Sequence, residues 1–288
     1  MADVLSIIFK EPAVSIIKCI LVTLILGCGF AANVLAATPR ADHVVLLIEE
    51  NRSFQTLIGS KDALYMNRLA AEGALFTQSF AITHPSEPNY VALFTGDTEG
   101  LADDSCPHSY TGPNLADALA AKGLSFAIYS ENLPQAGFMD CGSTDKLYRR
   151  KHNPVPNFAS VPAAANQPFS AFPADYSTLP TVAYVVPNMI NDMHDGTVQQ
   201  ADAWLKEHMD AYVQWALKHH SIFILTWDED DGTQSNQIAT LIIGQDVKPG
   251  RYDQKITHYA VLRTLTDMYG LEPIGHGAEA TAITGIWK

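Results

Sequence analysis

Residues 221–231 read SIFILTWDEDD, an apolar run of seven residues that ends in four consecutive acids. A short, continuous apolar run rich in β-branched and aromatic residues is typical of a strand buried on both faces of a parallel sheet. Residues 43–50, HVVLLIEE, and residues 181–188, TVAYVVPN, follow the same pattern. Since open α/β sheets bind ligands at the carboxyl ends of their strands, the polar residues after these three runs predict the functional site.

The rest of the chain predicts how these strands are connected. Residues 74–81, 124–129 and 238–243 indicate further strands, and residues 63–73, 114–122, 197–219 and 259–269 have the apolar spacing of helices. Alternating strands and helices predict an α/β fold with a doubly wound, mostly parallel sheet flanked by helices. Residues 131–176 are rich in Pro, Asn and Ser without periodicity, which predicts an irregular insertion that lines the site.

Composition limits the function classes. The 288 residues are 47% hydrophobic and 17% charged, as expected of a globular chain with one large domain. The formal net charge of −13, without a cluster of basic residues, argues against a nucleic-acid partner. An anionic substrate in such a protein would require a local positive charge, and a metal cation would provide one.

The first 36 residues have the features of a signal peptide. Lys10 and Lys18 precede an apolar run over residues 19–34, and small residues follow at Ala36 and Ala37. We therefore expect residues 1–36 to be a leader, residues 37–288 to be one domain, and the product to be secreted or periplasmic, with no stable membrane span after cleavage. A membrane anchor and lipidation at Cys28 are the alternatives.

Two cysteines, Cys106 and Cys141, remain after the leader. In an oxidising compartment they predict one disulfide that closes a loop of about 35 residues. Two separate buried thiols are the alternative. Their wide spacing matches no compact zinc motif.

The acids that follow the buried runs predict a metal site. Asp228 and Glu229 come directly after residues 221–227, where mutual repulsion favours a bound cation. Glu50 and Asn51 supply further oxygen ligands, which suit one divalent ion such as Mg²⁺, Ca²⁺ or Mn²⁺, or Zn²⁺ if histidines join. Acids in such places also cap helices and solvate loops, an equally good explanation of Asp230 and Asp231.

Ser86 lies between two prolines in PSEP, before a predicted helix that begins near Pro88. A serine hydroxyl at a helix N-terminus lies where free N–H groups attract an anion such as phosphate. With a metal to stabilise its alkoxide, Ser86 would be a nucleophile. An ordinary helix N-cap explains its position equally well.

Several motifs, in this order, resemble a known family. Residues 83–96, which contain TxxSEPNYxxLxTG, are similar to the nucleophile segment of nucleotide pyrophosphatases and other alkaline-phosphatase superfamily members. The motifs IEENRSF, HPSEPNY, YRRKHNP, TWDEDDG and HYAVLRTLTDMYGL together resemble the bacterial and fungal phosphoesterase family of acid phosphatases and phosphatidylcholine-type phospholipases C. The resemblance implies an alkaline-phosphatase-like fold.

The resemblance also implies roles for individual residues. The metal would be held by five of them: Glu50, Asn51, Ser86, Asp228 and Glu229. Ser86 would attack phosphorus to give a phosphoserine, and Asn89 would bind a phosphoryl oxygen. His84, His194 and His258 would surround the phosphate, and His152 would join Arg149, Arg150 and Lys151 on the cationic side of the pocket. Because an Asp-His pair is replaced by Asp228-Glu229, one metal is expected rather than two.

The expected function is therefore a secreted, metal-dependent phosphomonoesterase of the acid phosphatase type, acting on a small phosphate ester or a phospholipid head group. A phospholipase C or other phosphodiesterase is the alternative enzyme, favoured by the aromatic residues of the insertion, Phe138, Phe158, Phe169 and Phe172. A non-catalytic metal-binding surface protein is the alternative of another class. A sulfatase is disfavoured because no C/S-x-P-x-R pattern surrounds Ser86.

Overall fold

One nine-stranded sheet forms the centre of the computed structural model, which describes residues 38–288. The strands are β1 (His43–Glu49), β2 (Ala74–Phe80), β3 (Phe126–Ser130), β4 (Asn166–Pro168), β5 (Val182–Val186), β6 (Ser221–Trp227), β7 (Gln237–Gly244), β8 (Gly250–Tyr252) and β9 (Ile256–Thr257). Their order is β4-β3-β5-β1-β6-β7-β2-β8, and β9 also pairs with β2. Since β5, β1 and β6 are parallel neighbours, their carboxyl ends share one edge, as the sequence predicts.

The doubly wound, mostly parallel sheet is confirmed, with one strand as the exception. β7 runs antiparallel to both of its neighbours, β6 and β2. Residues 228–236, which join β6 to β7, are too few to contain the helix of a parallel crossover. The connection turns instead through left-handed backbone at Gly232, Ser235 and Asn236.

Helices flank the sheet close to the positions that the sequence predicts. They are α1 (Phe54–Leu57), α2 (Leu64–Glu72), α3 (Ser86–Thr95), α4 (Leu115–Ala121), α5 (Val198–Ala216) and α6 (His258–Met268). α5 begins one residue later than predicted because Thr197 is its N-cap: its hydroxyl accepts from Gln200 N at 3.2 Å, and Gln200 Oε1 accepts from Thr197 N at 2.9 Å. This reciprocal capping box satisfies two backbone donors that the helix leaves free. The short helix α1 is not predicted.

Both faces of the sheet are covered. The side chains of β1 alternate, so that Val44, Leu46 and Ile48 join a core cluster with residues of α3, α4 and α6. Val45 and Leu47 point the other way, into a second cluster with residues of α2 and α5. Complete burial of each such side chain is worth about 1.5–3 kcal/mol. The burial of β1 on both faces agrees with its uninterrupted apolar sequence.

The insertion over residues 131–176 contains β4 and several short 3-10 turns. Its aromatic side chains are used in packing. Phe158 is 2% exposed in the first core cluster, and Phe169 and Phe172 pack against the second. Phe138 lies edge-on to Tyr148. Phe158 is therefore a core residue, whereas Phe138, Phe169 and Phe172 are only partly buried.

Cys106 and Cys141 form the predicted disulfide, with their Cα atoms 5.8 Å apart. The bond links two chain positions that are 35 residues apart. We expect the double variant Cys106→Ala/Cys141→Ala to lower the free energy of unfolding by about 3–4 kcal/mol, because the crosslink restricts the unfolded chain. Urea denaturation measures the difference. A loss below about 1 kcal/mol would contradict this account.

The predicted leader, with its cleavage near Ala36 and the alternative lipidation at Cys28, lies outside the described residues. Within residues 38–288 no helix has both the length and the apolar character needed to cross a bilayer.

Candidate active site

Four buried carboxylates meet where the adjacent strands β5, β1 and β6 end. They belong to Glu50, Asp192, Asp228 and Glu229, and none is more than 4% exposed. Backbone hydrogen bonds join the three loops: Glu50 N donates to Asp192 O at 2.8 Å, and Asp228 N donates to Glu49 O at 2.9 Å. The predicted convergence of Glu50, Asp228 and Glu229 is thus present, and Asp192 joins them.

Burial raises the pKa values of these carboxylates, and neighbouring charges add to the effect at Glu50 and Glu229. Burial, followed by the charges of Asp228 and Asp192, raises the pKa of Glu50 well above its ordinary value. Burial raises the pKa of Asp228 to about 7, and burial together with the charge of Asp228 raises that of Glu229 to about 9. Buried like charges favour protonation unless a cation neutralises them.

Ser86 faces these carboxylates from the first turn of α3. Its Oγ lies 3.1 Å from Glu50 Oε2 and 3.3 Å from Glu229 Oε1, and the residue is 2% exposed. The N-cap of α3 is the extended Pro85, so the helix begins at Ser86 rather than near Pro88. The Ser86 hydroxyl therefore contacts side chains of the cluster instead of capping the helix, and the N-cap interpretation does not describe it.

Two histidines lie on the other side of Glu50. Ligand atoms of Glu50, His152 and His194 all lie within 4.8 Å of one another, a spacing that allows them to hold a metal ion. His152 is 2% exposed, with Nε2 3.1 Å from Glu50 Oε1 and Nδ1 3.3 Å from Asp192 Oδ2. Tyr90 stacks on the His152 ring and donates to Glu50 Oε1 at 2.6 Å. Burial lowers the pKa of His152 well below its ordinary value, which keeps the imidazole neutral.

The unpaired atoms of the cluster fit a divalent cation. Among residues 38–288, the buried Asp228 Oδ2 has no hydrogen-bond partner, and the buried Asp192 Oδ2 and His152 Nε2 have only the close contacts just described, without hydrogen-bond geometry. Buried polar atoms without partners are uncommon and mark a bound ion, a water or a functional role. Carboxylate oxygens and neutral imidazole nitrogens are ordinary ligands of divalent metals. The donor set is therefore suited to the predicted ion.

Asn51 stands beside this group in a left-handed conformation, with φ of 52°. Asparagine adopts this conformation more readily than most residues, and such residues concentrate at functional sites. Asn51 N donates to Asp228 Oδ1 at 3.1 Å, and its Nδ2 donates to Glu50 Oε2 at 3.0 Å. Asn51 thus connects the loop after β1 to the loop after β6.

His84 and Asn89 lie on the Ser86 side of the cluster. His84 Nδ1 is 2.9 Å from Glu229 Oε2, and its Nε2 is 3.2 Å from Asp230 Oδ1. Asn89 is fully buried and holds the loop before Ser86: its Oδ1 accepts from Ile82 N and Thr83 N at 3.0 and 3.1 Å. The predicted contact of Asn89 with a phosphoryl oxygen remains a prediction beside this structural role.

His194 and His258 have different surroundings. His194 Nδ1 is 2.8 Å from Asp195 Oδ1, and its Nε2 is 3.1 Å from Lys151 Nζ, at the open side of the cluster. His258 is 1% exposed at the start of α6, with Nε2 2.7 Å from the backbone oxygen of Asp228. Burial lowers the pKa of His258 to about 4. The two catalytic assignments remain predictions.

A family model described as "Phosphoesterase family" matches residues 60–272, about three quarters of the chain. The chain belongs to the phosphoesterase family. A phosphatidylinositol-3-phosphatase of Mycobacterium tuberculosis is 48% identical over 262 residues, which are 90% of this chain and 86% of that protein. A phosphate-repressible acid phosphatase of Penicillium chrysogenum is 32% identical over 81% of this chain, which spans only 60% of the fungal protein's length. Membership makes this phosphoesterase a hydrolase of phosphate esters.

Solved structures agree on the fold. A protein of the alkaline phosphatase superfamily from Vibrio parahaemolyticus has a TM-score of 0.58 at 18% identity, covering 83% of this chain and 69% of its own. A phosphonate monoester hydrolase of Agrobacterium radiobacter has a TM-score of 0.52 at 13% identity, covering 86% and 79%. At these identities the likeness extends to the fold alone. The predicted alkaline-phosphatase-like fold is confirmed.

The adjacent cationic residues of the YRRKHNP motif have different partners in this phosphoesterase. Lys151 pairs with Asp104 at 2.8 Å and reaches His194. Arg150 is 4% exposed and donates to Asn157 and to backbone oxygens, so it anchors the insertion instead of lining the pocket.

Asp192 is the site residue that the predicted ligand set lacks. It is an acid in the loop after the buried strand β5, but it lies six residues beyond the end of that strand, so its place in the site depends on how the loop folds.

Proposed function

We propose that this phosphoesterase is an exported, metal-dependent phosphomonoesterase of the acid phosphatase type, with Ser86 as the nucleophile. The observation that carries the proposal is the position of Ser86 Oγ, 3.1 and 3.3 Å from two buried carboxylates at a helix N-terminus. A buried serine with a nearby proton acceptor and a cationic site is the arrangement that nucleophilic phosphate transfer requires. Relatives named as phosphatases support a monoester substrate.

The proposed metal ligands are Glu50, Asn51, Ser86, Asp228 and Glu229, holding one divalent ion. When bound, the ion supplies positive charge that stabilises the serine alkoxide and the phosphoryl oxygens. The buried, unpaired Asp228 Oδ2 supports this set. The grouping of Glu50 with His152 and His194 supports a second set, in which imidazoles contribute.

The proposed reaction has two displacements at phosphorus. The Ser86 proton passes to a neighbouring carboxylate as its Oγ bonds to phosphorus, and the ester oxygen leaves with a proton from His194. Water then attacks the phosphoserine and gives a proton back to the imidazole, while the carboxylate returns its proton to Ser86 Oγ, which leaves as the free hydroxyl with release of inorganic phosphate. His194 has this role because its ring lies at the open side of the cluster. His84, His152 and His258 orient or support the groups around the phosphate.

Export is proposed from two features. The first 36 residues have the pattern of a signal peptide, and the Cys106–Cys141 disulfide is of the kind that persists in oxidising compartments. The protein is accordingly proposed to act outside the cytoplasm on small phosphate esters or phospholipid head groups.

A substrate panel tests the reaction class. Purified protein is incubated with p-nitrophenyl phosphate, bis-p-nitrophenyl phosphate and phosphatidylcholine at acidic and neutral pH. We expect release of phosphate from the monoester, with little cleavage of the two diesters. Diester cleavage without monoester cleavage would show that the enzyme is a phosphodiesterase.

A further inference from the structure

A cavity of about 370 Å³ opens beside the carboxylate cluster. One part of its wall is formed by Lys151 and His194, and His194 belongs to the metal-capable group around Glu50. Another part is formed by Arg149 and the Cys106–Cys141 disulfide. The cavity therefore has in its wall both His194 and an arginine that the proposed reaction does not use.

The charges of the cavity wall are paired, with one exception. Asp104 lies 2.8 Å from Lys151 Nζ, and Asp195 Oδ1 lies 2.8 Å from His194 Nδ1. Among residues 38–288, no carboxylate forms an ion pair with Arg149, and no backbone oxygen accepts a hydrogen bond from its guanidinium. Arg149 thus brings an uncompensated positive charge to the wall.

Backbone contacts place Arg149 beside the disulfide. Its backbone bridges to Gly142, and Arg150 N donates to Cys141 O at 3.1 Å, so the disulfide and the arginine share one short ladder. A Cβ on Gly142 would lie 3.2 Å from Arg149 Nη1, which places the guanidinium directly over this glycine. The guanidinium therefore lies against Gly142, and Arg149 is only partly exposed.

We propose that this cavity is the leaving-group subsite and that Arg149 binds a second anionic phosphate group on the departing alcohol. The inference rests on the proposed function, because it assigns the cavity next to His194 to the alcohol side of the ester. A guanidinium pairs with two phosphate oxygens at once, which gives strong and directional recognition. The substrate class is a polyol that carries two phosphate groups, either free or as part of a lipid head group.

Matched substrates test the subsite. Rates of phosphate release are measured for inositol 1,3-bisphosphate, inositol 3-phosphate and p-nitrophenyl phosphate with the wild type, Arg149→Gln and Arg149→Lys. Arg251→Gln is the matched control, because Arg251 is an exposed arginine on the edge strand β8 and the charge change is the same.

We expect Arg149→Gln to lower kcat/KM for the bisphosphate about tenfold to a hundredfold and to change it less than about twofold for the two monophosphates. Arg149→Lys retains the charge without the fork and should fall between. Arg251→Gln should leave all three values unchanged. Equal losses on bisphosphate and monophosphates, or no loss on any, would overturn the subsite. Absence of turnover by the wild type on every monoester would instead refute the proposed function.

Short-chain phosphatidylinositol 3-phosphate identifies the source of the second anion. In this lipid the second phosphate is a diester. A loss in Arg149→Gln on both the lipid and the bisphosphate supports a subsite that accepts a lipid head group. A loss on the bisphosphate alone supports a subsite for a free phosphate.

Discussion

Replacement of Ser86 by alanine is expected to lower kcat for p-nitrophenyl phosphate by about 10³-fold or more, because it removes the proposed nucleophile. Folding should be affected little, since Pro85 rather than Ser86 is the N-cap of α3. Mass spectrometry of wild-type protein quenched during turnover should detect one added phosphoryl group on the peptide that contains Ser86. The alanine variant should lack it.

Ser53→Ala is the matched control. Ser53 is 1% exposed and follows β1 at the same edge of the sheet, but within the described part of the chain its Oγ forms a hydrogen bond only with Thr56 Oγ1, at 2.8 Å. We expect this variant to retain most of the activity. If Ser86→Ala keeps wild-type kcat while Ser53→Ala loses it, the nucleophile has been misassigned. If both lose activity together with their thermal transitions, the effect is on folding.

The fold could be predicted because the sequence of each buried strand indicates whether one or both of its faces are covered. The uninterrupted apolar run of β1 requires cover on both faces, and the structure provides it. The antiparallel direction of β7 could also have been inferred, since the nine residues between β6 and β7 leave no room for a crossover.

The site could be predicted where ligands directly follow strands. Glu50 and Asp228 come within one residue of the ends of β1 and β6, so knowledge of the strands places them. Asp192 follows the end of β5 by six residues, and it reaches the cluster because the loop folds back through hydrogen bonds to Asn188 and Glu50. Such a return depends on tertiary contacts that no local pattern records.

The contribution of the insertion could not be resolved from the sequence. Its residues lack periodicity, so nothing local distinguishes which of the adjacent residues Arg149, Arg150 and Lys151 faces the pocket. In the structure, their hydrogen-bond partners distinguish them: Arg150 donates to Asn157, and Lys151 donates to Asp104. His152 similarly reaches Glu50 because Tyr90 of α3 supports its ring.

Removal of divalent cations is the second change with a large expected effect. Chelation should abolish turnover, because Glu50, Asp192, Asp228 and Glu229 then present uncompensated buried charge or protonate, and neither state supports the Ser86 alkoxide. Re-addition of Mg²⁺, Mn²⁺, Ca²⁺ or Zn²⁺ one at a time should restore activity with at least one ion. At a cation concentration a thousand times Kd, binding should add about 4 kcal/mol to stability and raise Tm by roughly 10 °C.

Two variants of the loop after β6 distinguish metal binding at a specific site from a general effect of acidic residues. Asp228→Asn should abolish both turnover and the metal-dependent rise in Tm, because its buried, unpaired Oδ2 is a proposed ligand atom. Asp231→Asn, an equal charge change at an exposed residue of the same loop, should preserve both. Turnover that survives every chelator would contradict metal dependence.

His152→Asn then distinguishes the two ligand sets. If the metal is held by the oxygen atoms around Ser86, His152 is not a ligand and acts only on the bound phosphate. The variant should then still show the cation-dependent rise in Tm, while its turnover falls. If the imidazole is a ligand, the rise in Tm should be lost with the activity. Since Glu50 lies between Ser86 and His152, at 3.1 Å from each, the measurement decides on which side of this carboxylate the ion lies.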